Sequence, residues 1–248
     1  MSQQREKTQK IQKTENSTNT KRRTKQQQVP LNKWFNYDSS CLEIGIDEAG
    51  RGPMLGRVYA AAVILPKEGD FNHELMKDSK RFHSEKKIRE AADYIKENAI
   101  GYHVAYSSEQ TIDQINIRNA THRAMHDAIR GLIEPSENYH LLVDGNDFKP
   151  FTLFRDTVGL VQIPHICIEG GDNKYTAIAA ASILAKVERD DYIANICNDN
   201  PELDARYDIL KNKGYGTKTH HEGIYNHGIT KFHRKTFGVC RNYTVVEE

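Results

Sequence analysis

Residues 42–53 read Leu42-Glu43-Ile44-Gly45-Ile46-Asp47-Glu48-Ala49-Gly50-Arg51-Gly52-Pro53. A short apolar run, Leu42 to Ile46, ends in a carboxylate pair, and a loop with two glycines follows. That is the pattern of a strand delivering acids to a sheet edge beside a backbone able to approach a ligand closely. The pattern recurs in Leu141-Leu142-Val143-Asp144-Gly145, and Glu169-Gly170-Gly171-Asp172 sets a further acid at the mouth of a long helical stretch. Side chains at strand ends converge on one edge of a sheet, so Asp47, Glu48, Asp144 and Asp172 could meet in space although far apart in sequence. Unpaired, they would repel one another and shift each other's pKa; a divalent ion bound by oxygen ligands removes that penalty. The chemistry that uses such a cluster is phosphoryl transfer by two metal ions, one activating a water and one stabilising the leaving oxygen. Taken singly, each acid reads as a turn or cap residue; the conjunction carries the inference.

Outward from these stretches, Arg57 to Leu65, Ile100 to Tyr106, Tyr139 to Val143 and His165 to Ile168 complete a set of five strands. Between them lie helical patterns. One is opened by Ser84 as N-cap, with Ile88, Ala91 or Ala92, and Ile95 on one face; another runs from about Asn116 to Arg130, and a third from about Lys174 to Ile193. The order predicts an α/β fold, a mixed five-stranded sheet flanked by helices, with a partly helical C-terminal extension after Asn200.

The net charge of +1 over 248 residues conceals an asymmetry. Residues 1–36 hold nine Lys/Arg against Glu6 and Glu15, so the remainder is acidic; within it, residues 211–241 hold seven Lys/Arg and only Glu222 as an acid. Two basic regions flanking acidic strand ends suit phosphate-backbone binding with carboxylates kept for chemistry; for the tail alone, a solvated segment kept for solubility is the competing reading. Residues 1–36 are rich in Gln, Lys, Thr, Asn and Ser, which predicts a disordered basic tail ahead of one domain at 37–248. With no run of 18 apolar residues the expectation is a soluble, cytoplasmic protein, nuclear if eukaryotic or viral. Cys41, Cys167, Cys197 and Cys240 stand far apart and read as free thiols.

The stretch Gly45 to Pro53 resembles the first signature of the type 2 ribonucleases H, the ribonuclease HII family. Further matches follow in the family's order: Asp78-Ser79-Lys80, Val143-Asp144-Gly145, Gly171-Asp172, Ile178 to Val187 with Arg189-Asp190, Gly214-Tyr215-Gly216-Thr217-Lys218, and His233-Arg234-Lys235-Thr236-Phe237. The resemblance implies that Asp47, Glu48, Asp144 and Asp172 bind two Mg²⁺ or Mn²⁺ ions. It implies that Gly50, Arg51 and Gly52 hold a ribonucleotide and sense its 2′-hydroxyl, and that Tyr215 packs on the sugar at the DNA side of an RNA-to-DNA junction. Lys80, Ser182 and Lys186 would contact backbone phosphates. The substrates would be RNA·DNA hybrids and duplex DNA with embedded ribonucleotides, cut 5′ of the ribonucleotide to leave 3′-hydroxyl and 5′-phosphate ends, by a monomeric enzyme. Arg57, Phe82-His83 and Ile229 to Phe232 depart from the family's usual residues, none of them at a metal ligand. Two other readings are a related metal-dependent nuclease acting on DNA structures, against which the Gly50-Arg51-Gly52 and Gly214-Tyr215-Gly216 elements argue, and an inactive nucleic-acid or clamp-binding module, against which the full set of four carboxylates argues.

In the tail, Gln28, Leu31, Trp34 and Phe35 have the spacing of a sliding-clamp-binding peptide, with the three apolar residues on one face of a helical turn. The alternative is that Trp34 and Phe35 staple the tail's end onto the body. Lys21-Arg22-Arg23 would add DNA contact or serve as a nuclear address.

Overall fold

A computed structural model describes residues 30–38 and 40–245. Along them run β1 (Leu42–Ala49), β2 (Val58–Ile64), α1 (Glu85–Asn98), β3 (Gly101–Ser107), α2 (Glu109–Arg130), β4 (Tyr139–Asp144), β5 (Thr152–Arg155), β6 (Gly159–Gln162), β7 (His165–Ile168) and α3 (Thr176–Asp199). Three short helices follow: α4 (Glu202–Tyr207), α5 (Ile209–Asn212) and α6 (Lys218–His227). The mixed five-stranded sheet expected from the sequence is present, in the order β3-β2-β1-β4-β7. Central β1 pairs antiparallel with β2, Ile46 opposite Ala62, and parallel with β4, Ile46 opposite Val143.

Alternation along the strands feeds two cores, because successive side chains point to opposite faces. Ile44, Ile46, Ala60 and Ala62 pack with Ala124, Met125 and Ile129 of α2 on one face. Ala61 and Val63 pack with Ala91 and Ile95 of α1 and with Ala181 and Leu184 of α3 on the other. The first half of α3, Thr176 to Ala185, is buried on all sides, as expected of a helical stretch apolar all round. It rests directly on β1 at Gly45, where an added Cβ would lie 2.1 Å from the Ala177 carbonyl carbon. Contact this close anchors the start of α3, and with it the preceding Asp172, against the strand that carries Asp47.

Several elements differ from their sequence-based expectation. Helix α2 begins at Glu109, where the Ser108 hydroxyl accepts from Thr111 N, and it breaks at Asn116, whose φ of 65° and ψ of 163° are not helical. Asn116 then caps the second half through Asn119 N at 3.1 Å, so the start expected at Asn116 is a restart inside the element. Ser84 stands at the N-cap of α1 but its side chain makes no capping bond. The β5–β6 hairpin was not expected from the sequence: its strands are only four residues long, Phe154 and Leu160 are exposed, and its inner residue Leu153 is only partly buried against the core.

Leu31 to Asn36, read from sequence as the end of the tail, lie along the body. Asn32 bridges beside α3, its N–H donating to Lys174 O at 2.8 Å and its carbonyl accepting from Thr176 N at 3.0 Å. Leu31 and Trp34 pack against the α1/α3 core, and the Glu43 carboxylate accepts from the N–H groups of Phe35 and Asn36. The disorder expected for residues 1–29, and Gln28 with it, lies outside the described residues. Among those residues no helix is long and apolar enough to cross a membrane, and the four cysteines are free thiols.

Candidate active site

Parallel pairing of β1 with β4 and of β4 with β7 ends Asp47 and Asp144 at the same sheet edge, Asp144 opposite Ile168. The Gly171 N–H donates to Asp144 Oδ1 at 2.6 Å and ties this edge to the turn bearing Asp172. The carboxylates act on one another. Asp47 is buried, and burial, then Glu48 and then Asp144 push its carboxyl well above the usual carboxylate range; hydrogen bonds from the Ser182 hydroxyl and the Glu48 N–H work the other way without offsetting them. Burial also raises Glu48, against the pull of Arg51 at 3.3 Å, and Asp144 adds to the rise. For Asp172 burial again dominates, followed by Asp78 and Asp144. Burial opposes the charge on Lys80, yet Asp78, Asp172, Asp47 and Asp144 together outweigh it and raise its pKa.

The donor set is therefore all carboxylate oxygen, the chemistry hard divalent cations take. It holds more negative charge than Lys80 and Arg51 neutralise, and the raised pKa values record burial first and that surplus second. Among the described residues no three of these groups are drawn to ligand spacing around one point; Glu48 is held by Arg51 and Asp144 by Gly171 N. The donor chemistry and the charge surplus fit a divalent ion.

Beside the cluster, the loop Gly50-Arg51-Gly52 meets Tyr215. An added Cβ on Gly52 would lie 3.3 Å from Tyr215 Cε1, and the Tyr215 ring is half exposed. At Gly50, φ of +94° favours glycine, and an added Cβ would come within 2.2 Å of Arg189 Nε. Of the proposed phosphate contacts, Lys80 stands among the carboxylates, while Lys186 is ion-paired with Asp190. Ser182 is placed differently from the expectation: it is buried, and its hydroxyl meets Ser79 Oγ at 3.0 Å and Asp47, so it supports a carboxylate from beneath.

Sequence reasoning gave no role to Arg189 and Arg234, both buried. Arg234 donates to the carbonyls of Gly50, Arg51 and Gly56, and Arg189 to those of Leu55 and Lys213. Burial lowers both, Arg234 to about 9. The signal was present only as two arginines inside matched stretches, since their partners are main-chain carbonyls and leave no mark in the sequence. The departing residue Arg57 is explained locally: its guanidinium lies 4.1 Å and 4.4 Å from the ring centres of Tyr106 and Tyr192.

A family model described as Ribonuclease HII matches residues 44–240. Ribonuclease HII of Parabacteroides distasonis is 48% identical over 196 residues, covering 79% of this chain and 89% of the relative. That of Bacteroides fragilis is 45% identical over 206 residues, covering 83% and 92%. Among solved structures, ribonuclease H2 from Pyrococcus horikoshii aligns with a TM-score of 0.63 at 20% identity, over 81% of this chain and 96% of that one. The ribonuclease HII of an Archaeoglobus fulgidus complex with PCNA aligns with 0.59 at 22%, over 79% and 95%. A Bst ribonuclease HIII in complex with Mn²⁺ aligns with 0.54 at 16%, over 75% and 70%. These structural likenesses speak to the fold, which they share with this chain. With a family model spanning most of its length and relatives at this identity, the chain belongs to the ribonuclease HII family.

Proposed function

We propose that this chain is an endonuclease that hydrolyses the RNA strand of RNA·DNA hybrids and incises 5′ of ribonucleotides embedded in duplex DNA, leaving 3′-hydroxyl and 5′-phosphate ends. The observation that carries the reading is a juxtaposition: Asp47, Glu48 and Asp172 gathered around Asp144 at one sheet edge, each felt by it, and next to them a glycine loop covered by a half-exposed tyrosine.

Asp47, Glu48, Asp144 and Asp172 would hold two Mg²⁺ or Mn²⁺ ions, which supply an activated water and charge stabilisation at the leaving oxygen. The chain's own residues do the rest. Ser182 and the Glu48 N–H orient Asp47, and Lys80 places a positive charge where the cleaved phosphate must come. The Gly50-Arg51-Gly52 backbone meets the 2′-hydroxyl, and Tyr215 provides a flat apolar surface for the neighbouring deoxysugar. Lys186 sits further along α3 for a flanking phosphate. Such an enzyme would act in ribonucleotide removal from replicated DNA, in the cytoplasm and as a monomer. Contact with a sliding clamp through Gln28, Leu31, Trp34 and Phe35 belongs to the same reading, with undocking of Leu31 and Trp34 as its cost.

The test is incubation of the purified chain with a duplex containing one ribonucleotide, with Mg²⁺ or Mn²⁺, beside Asp144→Asn. The expected result is one cut 5′ of the ribonucleotide by the unaltered chain only. No cleavage with either metal would overturn the function, and equal cleavage by both proteins would overturn the ligand set.

A further inference from the structure

His233 and Arg234 are adjacent, both almost completely buried, and they grip opposite halves of the loop–tyrosine pair. On one side Arg234 donates from Nη2 to Gly50 O at 2.6 Å, from Nη1 to Arg51 O at 3.0 Å and from Nε to Gly56 O at 2.7 Å. All three acceptors belong to the Gly50–Gly56 turn, so one planar fork fixes the path of that loop.

On the other side runs a chain of hydrogen bonds whose direction is determined. The Thr230 N–H can only donate, and it reaches His233 Nδ1 at 3.0 Å; the hydrogen of that neutral ring therefore sits on Nε2. Nε2 donates to His220 Nε2 at 3.1 Å, which leaves the His220 hydrogen on Nδ1, where it is given to the Tyr215 carbonyl at 3.0 Å. A carbonyl only accepts, so both ends of the chain agree. Tyr207 packs against both rings, and burial keeps both imidazoles below their usual pKa, in the neutral state this chain needs. Main-chain bonds close the circuit: Arg234 N donates to Met54 O at 2.8 Å, and Met54 N donates to Gly214 O at 2.9 Å.

We propose that the His233–Arg234 pair, with His220, is a positioning element that couples the Gly50–Gly52 loop to Tyr215 and so fixes the distance between the two surfaces that read a ribonucleotide and the deoxysugar beside it. The inference rests on the function proposed above and assigns to that site the residues that set its specificity. It separates two substrates. At a lone ribonucleotide the 2′-hydroxyl and the following deoxysugar must be met together, so a displaced Tyr215 is felt; inside a continuous RNA strand no deoxysugar follows, and the loop acts alone.

The experiment measures kcat and KM for the unaltered chain, His233→Asn, Tyr215→Ala and the double variant, each on a duplex with one ribonucleotide and on a continuous RNA·DNA hybrid. His233→Asn is expected to lower kcat/KM for the lone ribonucleotide about tenfold more than for the hybrid, and to add less than about twofold in the Tyr215→Ala background, because residues acting through one another are not additive. Equal losses on both substrates, or a full multiplicative loss in the double variant, would overturn the coupling while leaving the function standing. Cleavage of neither substrate by the unaltered chain would overturn the function, and the coupling with it. Should His233→Asn fail to fold, His220→Asn and His220→Ala decide the matter. The asparagine keeps a donor near the place of Nδ1 and is expected to restore the lone-ribonucleotide preference that alanine loses; identical behaviour of the two would overturn the coupling.

Discussion

Tyr215 covers Gly52, its Cε1 lying 3.3 Å from where a Cβ on that glycine would be, whereas the same Cβ on Gly50 would meet Arg189 at 2.2 Å. The two glycines of one short loop are thus required for different reasons. Gly52→Ala displaces an exposed ring by a few tenths of an ångström, so the fold is expected to survive with a change below about 0.5 kcal/mol. Lone-ribonucleotide cleavage should fall about tenfold with the shifted Tyr215. Gly50→Ala combines a positive φ with a collision against a buried arginine, and a loss of about 2–4 kcal/mol is expected. Urea unfolding and cleavage assays on the two variants check both; equal stability of the pair would refute the distinction.

Asp47 has the carboxyl pushed furthest up in the cluster, by burial first and then by Glu48 and Asp144. An acid whose pKa is raised on folding binds more protons folded than unfolded, so its contribution to stability falls as pH rises above the ordinary carboxylate value. At neutral pH without divalent ions, Asp47→Asn is therefore expected to raise Tm by about 2–4 °C, the shift given by roughly 1 kcal/mol in a domain of this size, while abolishing cleavage. Added Mg²⁺ should stabilise the unaltered protein and leave the variant unmoved. A lower Tm for the variant without metal would show that the hydrogen bonds of Asp47 outweigh the cost of its burial and of the neighbouring charges.

His233 gives the opposite sign. Burial, and then His220, hold it at about 3. In the unfolded chain it titrates near the ordinary value, so the unfolded state binds the extra proton and stability is lost as pH falls below 6.5. Between neutral pH and pH 5 this one group is expected to cost about 2 kcal/mol. Urea midpoints of the unaltered chain and His233→Asn at the two pH values check it: the variant should lose less on acidification, and parallel losses would place the acid sensitivity elsewhere.

Gly45 carries the contact between sheet and helix, with the Ala177 carbonyl carbon 2.1 Å from its absent Cβ. Backbone cannot move aside as a side-chain tip can. Gly45→Ala should push α3 off β1 and cost more than about 4 kcal/mol, leaving little folded protein. Near-native circular dichroism and Tm for this variant would contradict the packing.

What the sequence made legible was set by local rules. The apolar runs before Asp47 and Asp144 have the length and the abrupt polar end of buried strands, and a parallel pairing of two such runs puts their last acids side by side. What it hid depends on partners without sequence signatures. Arg189 and Arg234 bind main-chain carbonyls, so nothing marks them as buried. The break at Asn116 needs a positive φ that helical periodicity does not register. The resemblance set Ser182 against a backbone phosphate, and the spacing of α3 cannot tell which small residue faces a carboxylate. The order of Leu31 to Asn36 comes from hydrogen bonds to Lys174, Thr176 and Glu43, remote positions that composition does not see.

Those bonds bear on the proposed clamp contact. Trp34 meets His73 edge-on at 5.1 Å and packs with Leu31 on the α1/α3 core, while Phe35 is 40% exposed. A clamp pocket would take Leu31, Trp34 and Phe35 together from one helical turn, so the first two must leave the body to bind. Trp34→Ala is expected to cost about 2 kcal/mol of stability and Phe35→Ala under about 1, by urea unfolding. The undocking cost enters the binding equilibrium directly. A synthetic peptide of residues 25–37 should therefore bind a sliding clamp about 30-fold more tightly than the full chain, the factor that about 2 kcal/mol supplies. Calorimetric titration of both compares them. Equal affinity would mean that the docked segment opposes nothing, and tighter binding by the full chain would mean that the clamp takes hold of the body as well.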